Sequence, residues 1–83
     1  MQRYFLNTEY FEHLPTADDD GAMFASVEAA MREACLGLRE LVCSSINDES
    51  CPIPKKITVL DMFGDEVGSI SATEALPLQL RMA

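Results

Sequence analysis

The sequence is poor in basic residues and in histidine, which limits the ligands that it can bind. It has six Lys and Arg against fourteen Asp and Glu, and a single histidine, His13. Phosphate backbones and anionic lipid headgroups are bound largely by Lys and Arg, so we expect neither nucleic acid nor a membrane as a partner. One histidine also excludes a metal site with several histidine ligands.

Cysteines are few, and long apolar runs are missing. Cys35, Cys43 and Cys51 are odd in number and eight residues apart, which matches no CxxC redox or zinc pattern, so we expect reduced thiols. No stretch approaches the roughly 20 apolar residues that span a bilayer. Residues 1–13 lack the sustained apolar segment of a signal peptide, and a cytoplasmic location is therefore expected.

The overall composition is that of one small acidic domain. The 83 residues are 48% apolar and 24% charged, which allows a single core over residues 1–83. The formal net charge of −8 is unevenly distributed: residues 1–24 carry −4, residues 25–60 carry −1 and residues 61–74 carry −4. If the two acidic regions meet at one end of the fold, the negative charge is concentrated in a patch at that end.

Residues 26–46 predict an amphipathic helix. Ser26 is a suitable N-cap, and Leu36 and Cys43 lie opposite the apolar stripe, where they could form a self-association patch. Gly37 lies at the margin of the stripe and predicts a close approach of another backbone. Apolar residues recur at steps of three and four, which places them on one helical face. They are Val27, Ala30, Met31, Ala34, Cys35, Leu38, Leu41, Val42 and Ile46.

Residues 56–72 predict a β-hairpin. Two β-branched runs, 57–60 and 67–71, flank a turn that begins at Asp61, and Gly64 can adopt the positive φ that closes a type I turn with a G1 bulge. The preceding stretch, residues 44–56, contains Pro52 and Pro54 and predicts an extended loop.

The remaining segments complete an α+β fold. Residues 3–11 are rich in aromatic side chains and predict a strand, and residues 22–24 predict a short second strand or a staple onto the helix. Residues 76–83 alternate Leu76, Leu78, Leu80 and Met82, as an edge strand or tail would. The sequence therefore predicts an antiparallel sheet of three or four strands with one long helix on one face, in the order β-(β)-α-β-β.

The candidate metal and catalytic residues form no recognised site. With Gly21 as the sixth residue of an EF-hand loop, Asp18–Asp20 would need carboxylates at both ends of that loop, where Thr16 and Val27 stand. His13 follows two glutamates but has no second histidine, and the sequence contains no Gly-rich phosphate loop and no GxSxG elbow. We therefore predict a solvated acidic turn and no catalytic, cofactor-binding or metal-binding residues.

Four short motifs occur in a fixed order: M-x-R-Y-F from Met1, D-D-D-G from Asp18, S-V-E-A-A-x-x-x-A from Ser26 and V-x-D-x-x-G from Val59. Together they resemble a family of small bacterial proteins, common in rhizobia and related alphaproteobacteria, that is catalogued as a domain of unknown function. Its pattern is M-x-R-Y-F-F, D-E-E-G, D-L-E-A-A-x-x-E-A and V-x-D-x-x-G. This chain has Leu6 for the second Phe, a longer loop before the hairpin and a Leu-rich tail. The resemblance covers residues 1 to about 75 and implies a soluble one-domain protein, with no activity, cofactor or catalytic residue to carry over.

Two functions from different classes follow. The first is a small non-enzymatic protein-interaction or regulatory module that binds a protein partner through a sheet edge or the outer helix face. The alternative is a metal-dependent or acidic-site enzyme that uses the carboxylates of Asp18–Asp20 with Asp61, Asp65 and Glu66. The tail and the exposed helix positions also predict a homodimer.

Overall fold

The computed structural model describes residues 1–76 and contains a four-stranded antiparallel sheet with one long helix packed on it. The strands are β1 (Gln2–Tyr10), β2 (Ala22–Phe24), β3 (Pro54–Leu60) and β4 (Glu66–Ser71), and the helices are α1 (Val27–Asn47) and α2 (Ala72–Ala75). The sheet order is β2-β1-β3-β4. These elements confirm the predicted α+β fold and its order; the predicted tail strand beyond Leu76 lies outside the described residues.

The strand register divides the sheet into a covered face and an outer face. On the covered face Leu6 pairs with Val59, and Ile57 pairs with Ile70. Tyr4, Ile57 and Val59 are buried there against α1. The alternate residues form the outer face, because successive side chains of a strand point to opposite sides. Across β1 and β3 this outer face consists of Phe5 with Leu60, Asn7 with Thr58, and Glu9 with Lys56.

Helix α1 begins and packs as its sequence predicts. Ser26 has extended backbone angles, and its hydroxyl accepts a hydrogen bond from the N–H of Ala29 at 3.1 Å. Ala30, Ala34 and Leu38 are fully buried at four-residue steps. Two of these three side chains are methyl groups, and Leu38 is the largest of the three.

The end of α1 departs from the predicted stripe. Ile46 was expected on the buried face, but 74% of it is exposed. At 100° per residue, Ile46 lies about 160° around the helix from buried Ala30, which takes it away from the face that packs on the sheet. The predicted loop is also shorter at both ends, since α1 continues to Asn47 and Pro54 is already a buried residue of β3.

A close contact between helix and sheet does occur, but at a different glycine from the predicted one. A side chain at Gly37 would meet nothing within 4 Å, so that prediction is wrong. At Gly68 of β4, a Cβ atom would lie 2.7 Å from Met31 Sδ. Gly68 pairs with Val59 on the covered face, and its missing side chain makes room for the Met31 thioether.

The short helix α2 was not predicted. Ser71 and Glu74 form a capping box, in which the Ser71 hydroxyl accepts from the Glu74 N–H and the Glu74 carboxylate accepts from the Ser71 N–H. The Arg39 guanidinium donates to the carbonyl of Ala75 and joins α2 to α1. Across residues 1–76, no helix has both the length and the apolar character needed to cross a bilayer.

Candidate functional site

The first acid of the Asp18–Asp20 motif closes the free edge of β1. Asp18 Oδ2 accepts a hydrogen bond from the Leu6 N–H at 3.2 Å, and Oδ1 accepts one from the Gly21 N–H at 3.0 Å. Strand β2 pairs with only the first residues of β1, so the Asp18 carboxylate supplies the acceptor that a longer neighbouring strand would give. Asp18 is therefore a structural residue and not simply a solvated one.

The glycine after this motif is required for two reasons: its backbone has a positive φ, and there is no room for a Cβ atom. Gly21 has φ +69°, and a Cβ atom there would lie 2.8 Å from the carbonyl oxygen of Tyr4 and 2.9 Å from Cε1 of Phe5. Two residues before Asp18, Thr16 exchanges both backbone hydrogen bonds with Thr8, at 2.8 and 2.9 Å. The segment from Thr16 to Gly21 thus lies along β1 as an irregular strand.

The other two acids of the motif are exposed, as the sequence predicts. Asp19 and Asp20 have solvent-exposed side chains. Arg3 Nη1 donates a hydrogen bond to the backbone carbonyl of Asp20 at 2.8 Å, so this guanidinium contacts the backbone of the acidic segment. The charges of both acids therefore face solvent beside a single base.

The hairpin turn is held by its first acid. Asp61 Oδ1 accepts from the N–H groups of Phe63 and Asp65, at 2.9 and 3.0 Å, and Gly64 has φ +83°. The Asp61 N–H also donates to the Asp65 carbonyl, which closes the turn. The predicted turn with Gly64 at positive φ is confirmed, and its backbone holds Met62 and Phe63 at the apex, where 62% and 83% of these residues are exposed.

The two acidic segments lie at the same end of the sheet, on opposite sides of β1. Phe5 pairs with Leu60, so the turn after Leu60 lies beside residues 2–4 of β1, and these residues in turn pair with β2. Together, Asp18–Asp20 and residues 61–66 form what we call the acidic end, which carries six acids against Arg3. Sequence reasoning left this convergence open, because only the register of β1 against β3 determines it.

The proposed metal-binding use of these carboxylates finds no arrangement to support it. Asp18 and Asp61 direct oxygens at backbone N–H groups, and in the part of the chain that the structure describes no three Asp, Glu, His or Cys side chains converge as metal ligands would. Nor do residues 1–76 enclose a pocket. An acidic-site enzyme stays a prediction from sequence.

His13 and its neighbouring glutamates do not form a cluster. The exposed His13 ring has Nδ1 3.1 Å from the carbonyl oxygen of Phe11. Glu9 lies on the outer face of the sheet and forms an ion pair with Lys56 at 3.5 Å. Glu12 has φ +59° and is exposed.

The opposite end of the sheet carries an apolar surface that the sequence reading missed. The Phe11 N–H donates to the Ile53 carbonyl at 2.9 Å, which holds the two exposed side chains on neighbouring segments. Lys55 Nζ lies 5.9 Å from the centroid of the Phe11 ring, and Leu14 is 88% exposed in the same loop. The signal that could have indicated this surface is the apolar residue just outside each strand, Phe11 after β1 and Ile53 before β3.

One carboxyl group has a perturbed pKa, in the loop after α1. The Ser50 hydroxyl donates to Asp48 Oδ1 at 2.7 Å and the Ser50 N–H at 2.9 Å, and these two hydrogen bonds lower the pKa of the exposed Asp48 carboxyl. The bonds order the turn that leads from α1 to β3.

The three cysteines form no disulfide. Cys35 packs at the edge of the core, and Cys43 is exposed on the far side of α1. Cys51 is half-buried in the loop before β3.

Comparison with known proteins identifies a family and no activity. The sequence profile of a domain of unknown function, DUF6894, matches residues 3–73. No curated protein and no solved structure matches the chain.

Proposed function

Because this chain belongs to the DUF6894 family, whose function is unknown, we propose from its surface that it is a non-enzymatic protein-interaction module. The observation that supports this proposal is the exposure of two consecutive large apolar side chains, Met62 and Phe63, on a turn with a fixed backbone. Single exposed apolar residues are normal on a protein surface, whereas adjacent ones bordered by polar residues are typical of binding sites.

A fixed turn favours binding over a purely structural explanation of these side chains. The turn needs Asp61 and Gly64 for its conformation, and its two central positions accept most residue types. Polar residues at positions 62 and 63 would close the same hairpin with less apolar exposure. A docking role accounts for the apolar pair, because side chains on an ordered backbone lose little further backbone entropy on binding.

The test of this proposal is partner recovery followed by reconstitution. The full chain, tagged at one terminus, is crosslinked in its own host, and each protein recovered with it is purified and titrated into the untagged chain by calorimetry. We expect one recovered protein to bind saturably at a fixed stoichiometry. If none of them binds the purified chain saturably, the proposal is wrong.

We also propose the homodimer that the sequence predicts, on the basis of α1. Leu36 and Cys43 are both exposed, two helical turns apart, on the side of α1 away from the sheet. Light scattering of the full chain at high micromolar concentration should give twice the monomer mass, and Leu36→Glu should return it to the monomer mass. A monomer mass for the unsubstituted chain excludes the homodimer.

A further inference from the structure

The acidic end has exposed apolar side chains besides those of the turn. Phe63 and Met62 occupy the apex, and Met23 of β2, which pairs with Arg3 on the outer face, is 46% exposed at the same end of the sheet. Half-buried Leu60 lies on the outer face, directly before the turn. Within residues 1–76, no helix covers the outer face, since α1 and α2 pack on the other side.

The charges around this surface indicate what it binds. Asp19, Asp20, Asp65 and Glu66 are all exposed, and Arg3 is the single base among them. A partner whose apolar area is bordered by Lys and Arg would bring opposite charges together around the contact, which speeds association and selects against acidic partners. A second copy docked through the same surface would bring like charges together, so self-association through this end is disfavoured.

We infer that the acidic end docks on a partner protein whose surface is apolar at its centre and basic at its rim, with Met62 and Phe63 as the central contacts. This inference rests on the proposed interaction function and specifies its site and the chemistry of the partner. Aromatic side chains near the centre of an interface contribute a large share of the affinity, and rim charges mainly set the association rate and the salt dependence.

The test uses a defined probe and nuclear magnetic resonance of the full ¹⁵N-labelled chain. The probe is a helical peptide with leucines on one face and lysines on the other, and its analogue with glutamine in place of lysine is the control. We expect the lysine peptide to shift the amide signals of residues 19–23 and 61–66, with weaker binding at higher salt. The glutamine analogue should bind far more weakly.

Matched variants separate this site from the rest of the surface. Phe63→Ser should weaken peptide binding at least about tenfold, as loss of a central aromatic contact does. Leu14→Ser removes an equally exposed apolar side chain at the other end of the sheet and should leave binding unchanged. Asp65→Asn with Glu66→Gln should reduce the salt dependence, and Glu12→Gln with Glu49→Gln should not.

The outcomes distinguish this inference from the proposed function. Shifts centred on residues 11–14 and 51–55, or equal losses in the Phe63→Ser and Leu14→Ser variants, would overturn the inference. The same variants are titrated against any partner recovered by crosslinking. A recovered partner that binds saturably but is indifferent to Phe63→Ser leaves the interaction function in place and refutes its assignment to the acidic end. No saturable partner refutes the function itself.

Discussion

Replacement of Gly21 by alanine should destabilise the domain more than the same change at either of two other glycines. An alanine with φ near +69° costs about 1–2 kcal/mol in backbone conformation alone. Its Cβ would also lie 2.8 Å from the Tyr4 carbonyl oxygen, which cannot move without disturbing the pairing of β1 with β2. We expect a total loss of about 2–4 kcal/mol, against a free energy of unfolding of about 4–12 kcal/mol for a chain of this length.

The two other glycines separate the conformational cost of an alanine from the steric cost of its Cβ atom. Gly64 has φ +83° but open space around its Cβ position, so Gly64→Ala should cost only the conformational part, about 1–2 kcal/mol. Gly37 lies within α1 and also has open space, so Gly37→Ala should stabilise the domain by about 1 kcal/mol through helix propensity.

Urea unfolding at 25 °C, followed by circular dichroism, gives the three differences from one set of curves. We expect the free energy of unfolding to be highest for Gly37→Ala, followed by the unsubstituted chain, then Gly64→Ala, and lowest for Gly21→Ala. If Gly21→Ala lost no more than Gly64→Ala, the packing of the acidic segment against β1 would be wrong.

Three further changes test the core, a cap and one titration. Leu38→Ala should lower the free energy of unfolding by about 2–5 kcal/mol in urea titrations, and Ile46→Ala, at an exposed position of the same helix, by under about 0.5 kcal/mol; similar losses would contradict the packing of α1. Ser26→Ala should cost about 1 kcal/mol by the same assay, because the Ala29 N–H loses its acceptor, and Ser26→Gly should cost less. Ser50→Ala should raise the pKa of Asp48 toward its ordinary value, as measured by carboxyl carbon shifts, and an unchanged pKa would refute the hydrogen bond. Because the folded pKa of Asp48 is lowered, its contribution to stability is present above about pH 4 and is lost as pH falls through the folded value.

The parts of the fold that sequence predicted well are those with local signals. Ser26 and the apolar period determine where α1 begins and which face it buries, and Asp61 with Gly64 determines the hairpin turn. In each of these elements, the interacting groups are separated by only a few residues. Helix α2 also has a local signal, the S-x-x-E capping box at Ser71, although the helix itself was not predicted.

The features that sequence reasoning missed depend on residues far apart in the chain. The close contact at Gly68 depends on which residue of α1 lies above it. The sequence predicts a solvated acid at Asp18, but Asp18 accepts a hydrogen bond from the Leu6 N–H, twelve residues away. The acidic end likewise exists only through the register of β1 with β3.

The segment from Thr16 to Gly21 covers β1 and makes the two edges of the sheet unequal for strand addition. On that side, Thr16 and the Asp18 carboxylate already occupy backbone groups of β1, and β2 offers only three residues. On the other side β4 is six residues long, with no strand beside it among residues 1–76. A sheet with one usable edge can join a second copy edge to edge but cannot continue beyond it. For the part of the chain that the structure describes, growth by strand pairing through β4 would therefore stop at two chains.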